Sequence, residues 1–142
     1  MSSHSAVENH PLRPLHRTLA GLTGGFLAVF GVLGLVETGD AGAFDRLSAT
    51  VLGIKTNVAF SVVALLVGLV VLAVTAIGRN LDARVNTWLA YLLFVLGSVM
   101  LALMQTEGNV LNATITSTVV VYLAGCVLLT AGLYSRVSTA RA

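Results

Sequence analysis

Three histidines, one cysteine and a scatter of carboxylates and amides are the residues of this 142-residue chain whose types could do chemistry. His4, His10 and His16 are metal-ligand types, yet their even spacing runs across Pro11 and Pro14 and places them on no common face. They read as solvated or interfacial histidines, and no metal is expected. Cys126 stands alone, so it forms neither an intrachain disulfide nor a Cys-x-x-Cys redox pair, which removes the four-helix thiol oxidoreductases. No histidine lies inside an apolar run to ligate a haem between helices, and no glycine-rich loop followed by lysine is present to cradle phosphates. No cofactor is expected. Asn112-Ala113-Thr114 matches a glycosylation sequon, but at a membrane boundary where modification is disfavoured.

What is left is a polar collection of Glu37, Asn57, Glu107, Asn109 and Asn112. These side chains could line a shallow site for a lipid head group, a cation or a partner protein. They equally suit helix capping, because asparagine at a helix start accepts backbone N–H bonds, and capping is the stronger expectation.

The elements that position these residues are set by composition. The chain is 56% apolar and 10% charged, with mean hydropathy +0.92, against roughly 45–50% and about 25% in soluble domains. Every Asp, Glu, Lys and Arg lies outside four windows, Thr18–Val36, Thr56–Gly78, Val85–Thr106 and Gly108–Ser135. Each is long enough for the roughly 17–25 residues that cross a bilayer core. The expected fold is all-α, an integral membrane four-helix bundle in the lipid bilayer. Its transmembrane domain, 18–135, contains spans at 18–36, 57–78, 85–104 and 110–134, between a mobile cytoplasmic segment 1–17 and a cytoplasmic tail 136–142. The run from Thr18 is longer than a secretory h-region of about 7–15 residues, which favours an uncleaved anchor over a signal peptide.

Charge sets the expected orientation. Arg13, Arg17, Arg79, Arg84, Arg136 and Arg141 fall on one side, whereas Arg46 and Lys55 on the other are offset by Glu37, Asp40 and Asp45. The positive-inside rule then places both termini in the cytoplasm, in a cell inner (plasma) membrane. Trp88, Tyr91 and Tyr134 sit at the same boundary, as interfacial aromatic rings do. The basic residues are too dispersed for nucleic-acid binding. No charge lies mid-span to couple transport to protons, which counts against a small multidrug antiporter.

In lipid, helices associate through close backbone approach, so small residues mark contact faces. Gly21, Gly24, Ala28 and Gly31 share one face of the first span, and Gly21 with Gly25 forms a G-x-x-x-G pair. Ser61, Ala64, Gly68 and Thr75 form a matching row on the second. Packing within one bundle is the first expectation, and a homodimer face the second. In the first loop, Phe44, Leu47, Val51 and Leu52 are spaced for a short interfacial amphipathic helix between spans 1 and 2, with Asp45 and Arg46 toward water. Placing Gly68–Arg79 on Gly125–Arg136 superposes glycines and arginines, which hints at two parallel hairpins related by duplication.

Several strings resemble a known family: His10-Pro11-Leu12-Arg13-Pro14-Leu15-His16-Arg17, Phe30-Gly31-Val32-Leu33-Gly34, Leu52-Gly53-Ile54-Lys55-Thr56-Asn57 and Gly132-Leu133-Tyr134-Ser135-Arg136-Val137-Ser138. Together they resemble an actinobacterial family of four-span membrane proteins catalogued only as a domain of unknown function. The resemblance covers about residues 10 to 138 and implies fold and lineage, with no catalytic residue. Relatives often have Ser where this chain has Lys55, and some have His near Phe60 and Ser61. The expected function is a non-catalytic accessory or scaffold subunit, with a membrane-protein partner or a homo-oligomer as its assembly. The alternative is a small oligomeric channel or transporter lined by Asn112 and Thr116; lipid binding or modification ranks third.

Overall fold

A computed structural model describes residues 11–46 and 48–135. The chain forms α1 (Arg13–Thr38), β1 (Thr50–Val51), β2 (Ile54–Lys55), α2 (Val58–Ile77), α3 (Leu81–Leu103) and α4 (Ile115–Tyr134). All four helices are long and apolar enough to cross a membrane. Antiparallel succession puts the starts of α1 and α3 with the ends of α2 and α4 at one end of the bundle, the terminal end. The loop after α1 and the α3–α4 loop lie at the other, the hairpin end.

α1 starts earlier than the expected span. Pro14 sits in its first turn, where a missing N–H costs nothing and the fixed φ favours the helix, so Arg13–Arg17 are helical rather than part of a mobile lead-in. His4, His10, Arg136, Arg141 and most of the two expected cytoplasmic segments lie outside the described residues.

The expected interfacial helix is replaced by a turn and a two-stranded hairpin. Asp45 Oδ2 accepts from the Gly42 N–H at 2.7 Å, which closes a turn where a helix would have begun. Leu52 and Gly53 then take φ of 52° and 80°, the positive pair that a two-residue hairpin turn requires, between the β-branched Val51 and Ile54. Strand alternation buries Val51 and Ile54 onto the bundle, while Phe44 and Leu52 remain exposed. Leu47 is outside the described residues. The helical spacing was a coincidence of a two-residue period interrupted by a turn.

α1 packs mainly on α2, and α3 on α4. Backbones meet where side chains vanish: a Cβ on Gly68 would lie 2.6 Å from the Gly24 carbonyl oxygen, and one on Gly31 would lie 2.6 Å from Leu65 Cβ. Gly34 joins this seam against Ser61. The second pair repeats the arrangement. When Asn57 is laid on Thr114, α2 and α4 coincide end to end, and the buried Phe60, Ser61, Ala64, Gly68, Val71 and Val74 fall on the buried Ser117, Thr118, Val121, Gly125, Leu128 and Ala131. When Gly24 is laid on Ala90, the contacts carry over as well. Gly68 against Gly24 and Ala28 becomes Gly125 against Ala90 and Phe94, and Gly31 against Leu65 becomes Gly97 against Tyr122. Gly21 against Thr75 becomes Thr87 against Gly132. The bundle is therefore two copies of one helical hairpin, with the longer first loop carrying β1 and β2.

Candidate functional site

At the hairpin end, α2 begins because Asn57 has extended backbone and its side-chain oxygen accepts the Phe60 N–H at 2.9 Å. Its Nδ2 donates at 2.8 Å to the Val110 carbonyl in the α3–α4 loop. Asn112, two residues on, adopts φ 52°, a conformation asparagine tolerates, and its Nδ2 donates back to the Thr56 carbonyl at 3.2 Å. These reciprocal bonds fasten that loop to the β2–α2 junction. Asn109 closes the loop on itself: its oxygen accepts from Ala113 N–H at 2.6 Å and its Nδ2 donates to the carbonyls of Ala113 and Met104. Thr114 and Ser117 form a capping box that starts α4.

Of the five polar residues singled out in the sequence, the three asparagines are buried and meet around this loop, whereas Glu37 and Glu107 are exposed. Among the described residues neither carboxylate bonds to the amides. Thr56, Ser61, Ser117 and Thr118 lie buried beneath, with Thr56 and Ser61 sharing a hydroxyl hydrogen bond of 2.8 Å. The arrangement is a hydrogen-bonded plug. Below it Ile54, Phe30, Phe60, Leu93 and Val121 surround a wholly apolar cavity of about 20 Å³, and such a cavity offers water no polar partner.

The packing residues divide by what faces them. Gly24, Ala28, Gly31, Ser61, Ala64 and Gly68 lie buried in the α1–α2 seam, where Gly24 faces Val71 and Gly68, and Gly31 faces Leu65. A Cβ on Gly21 would meet only Thr75 Cγ2, at 3.8 Å, and one on Gly25 would meet nothing within 4 Å. The Gly21–Gly25 pair is therefore not a close-contact face among the described residues, since Gly21 touches α2 only at Thr75 and Gly25 touches nothing.

The terminal end holds a polar group that the charge count passed over. Asp82, in the first turn of α3, is 1% exposed and lies 3.1 Å from Arg17 Nε. Arg17 also donates through Nη2 to the Thr75 carbonyl near the end of α2. Arg13 Nε donates to the Ser135 carbonyl at 2.9 Å, and the His16 ring stacks on Tyr134 at 5.4 Å, so α1 is tied to all three other helices here. One turn beyond Asp82, Asn86 is also buried, with an Oδ1 that finds no donor among the described residues. The available signal was the one acid between Arg79 and Arg84, in the short connection that joins the second and third spans. A carboxylate in the first turn also suits the positive end of the α3 dipole.

The whole transmembrane bundle is what comparison recognises, since residues 17–134 match the family described as a domain of unknown function, DUF4383. The chain belongs to this family. The match runs from the ion-paired Arg17 to Tyr134, which covers both hairpins and the plug. Neither the curated proteins nor the solved structures give a match.

Proposed function

We propose that this multi-pass membrane protein is non-catalytic and acts by association, as an accessory or scaffold subunit packed beside a larger membrane complex. One observation carries the reading: the asparagines best suited to chemistry are held in bonds that fasten a loop to helix starts. An enzyme needs such groups converging on a space that a substrate can enter. Large apolar side chains face outward from the bundle instead, and among them Leu92, Val95, Val99, Val119 and Leu123 on α3 and α4 offer an aliphatic surface to a partner helix. Met100 is turned inward and contributes nothing to that face. We further infer that the terminal end faces the cytoplasm, because Arg13, Arg17, Arg79 and Arg84 gather there.

Purification of the tagged chain in mild detergent, with mass spectrometry of what co-elutes, tests the association. A stoichiometric larger membrane partner is the expected result. Liposomes holding the chain alone should show neither solute flux nor turnover of native lipids. Saturable flux abolished by Asn112→Leu would replace this reading with the channel. For orientation, a periplasm-dependent reporter should be active when fused at Gly108 and silent at Leu81 and Ala142; the reverse pattern would invert the topology.

A further inference from the structure

Arg13, Arg17, Thr18, Gly21 and Thr75 line an open recess of about 390 Å³ between the start of α1 and the end of α2. The two guanidiniums are not equivalent. Arg17 is ion-paired with Asp82, so its charge is balanced inside the fold. Arg13 uses only Nε, on the Ser135 carbonyl, and has no acidic partner among the described residues. Its terminal amino groups remain as donors, in the fork geometry that suits a phosphate. Arg79 stands exposed beside the recess, in the turn whose Gly78 lies next to the Arg17 guanidinium. Among the described residues the recess is therefore cationic, with positive charge that no acid balances and with donors left on Arg13.

Its position selects the kind of anion. The recess lies at the end of the bundle where α1 passes from charged to apolar sequence, at the level where lipid head groups meet a spanning helix. Gly21 leaves its floor open, for a Cβ there would touch only Thr75 Cγ2. Three turns further along, the face of α1 bearing Thr18 and Gly21 presents the exposed Val29 and Val32, suited to acyl chains. We propose that this recess is a binding site for the head-group phosphate of an anionic phospholipid, held by Arg13 with its chains along α1.

The test uses the full-length chain, delipidated in mild detergent, and reads thermal stability and native mass spectra as phosphatidylglycerol or phosphatidylcholine is added. Phosphatidylglycerol should raise the melting temperature in a saturable way and remain bound in the gas phase, with phosphatidylcholine at least several-fold weaker. Arg13→Gln should weaken phosphatidylglycerol binding about tenfold, the size of one lost charge-assisted hydrogen bond. Gly21→Leu should weaken it comparably by filling the recess without removing charge, while Arg84→Gln, outside the recess, should bind as the parent does. Circular dichroism and elution volume establish that each variant is folded. Equal phosphatidylglycerol binding by folded Arg13→Gln and Gly21→Leu would overturn the site. So would displacement of the lipid by millimolar inorganic phosphate, which would make the recess a soluble-anion site.

Discussion

A buried hydroxyl with no partner and a buried carboxylate with one partner behave oppositely when altered. Thr118 is 3% exposed and its Oγ1 has no hydrogen-bond partner among the described residues. The repeat explains why. Its counterpart Ser61 bonds to Thr56, but the position matching Thr56 in the second hairpin is Ala113. Thr118→Val keeps the shape and removes an unsatisfied group, so it should stabilise the protein by about 1 kcal/mol, measured by denaturant unfolding in detergent; a loss of stability would mean that the hydroxyl is bonded in solution. Asp82 carries the contrary expectation. Asp82→Ala leaves the Arg17 guanidinium without its counter-charge at the junction of α1, α2 and α3. The same assay should register a loss of about 3 kcal/mol, the low end for a broken buried pair because Arg17 is partly exposed. Unchanged stability would show that the pair contributes nothing net.

Helices are held at backbone distance in the α1–α2 seam, and that distance makes α1 sensitive on one face and tolerant on another. Gly31→Leu would drive a side chain into Leu65, a contact of 2.6 Å already at the Cβ, and should abolish the folded bundle. Gly25→Leu meets open space and should leave yield and unfolding unchanged for the isolated chain. Size-exclusion profiles of the two variants in detergent check both; a Gly25→Leu chain that loses its parent's oligomeric state would instead place that glycine in a contact between molecules. The four helices were legible because charge-free windows of spanning length have few other uses in a chain this apolar. The first loop was not, because four apolar residues fit a helical period while Gly42, Asp45, Leu52 and Gly53 encode two turns. The asparagines were readable as caps at Asn57, but their cross-loop partners, Val110 and Thr56, are backbone carbonyls that no side-chain pattern announces. Asp82 was hidden in plain composition, since a count of basic residues by side ignores which acid folds inward.

Each hairpin of the whole molecule has its own dry, close-packed seam; the hairpins meet through an apolar core around Phe30, Phe60, Leu93 and Val121, and through hydrogen bonds and an ion pair at the two ends of the bundle. Arg17 to Asp82 and Arg13 to Ser135 join them at the terminal end, and Asn57 to Val110, Asn112 to Thr56 and Arg46 to Thr106 join them at the hairpin end. Hairpins that insert independently and then associate fit the two-stage view of membrane folding, in which spanning helices form before they pack. The covalent link between the halves is only the Gly78–Asn80 turn, where Gly78, Arg79 and Asn80 all have positive φ. Its entropic contribution is small beside five specific cross-hairpin bonds. A chain divided between Arg79 and Asn80, with both fragments co-expressed, should therefore yield a complex that co-purifies through a tag on either half. Asp82→Ala combined with Asn57→Ala should lower the yield of the co-purified complex, since those changes remove one fastening at each end and leave both glycine seams intact. Because the hairpins share one packing scheme, the competing product is a half paired with its own copy. Recovery of only such self-pairs from the unmutated fragments would show that the repeat, rather than the end bonds, decides which hairpin meets which.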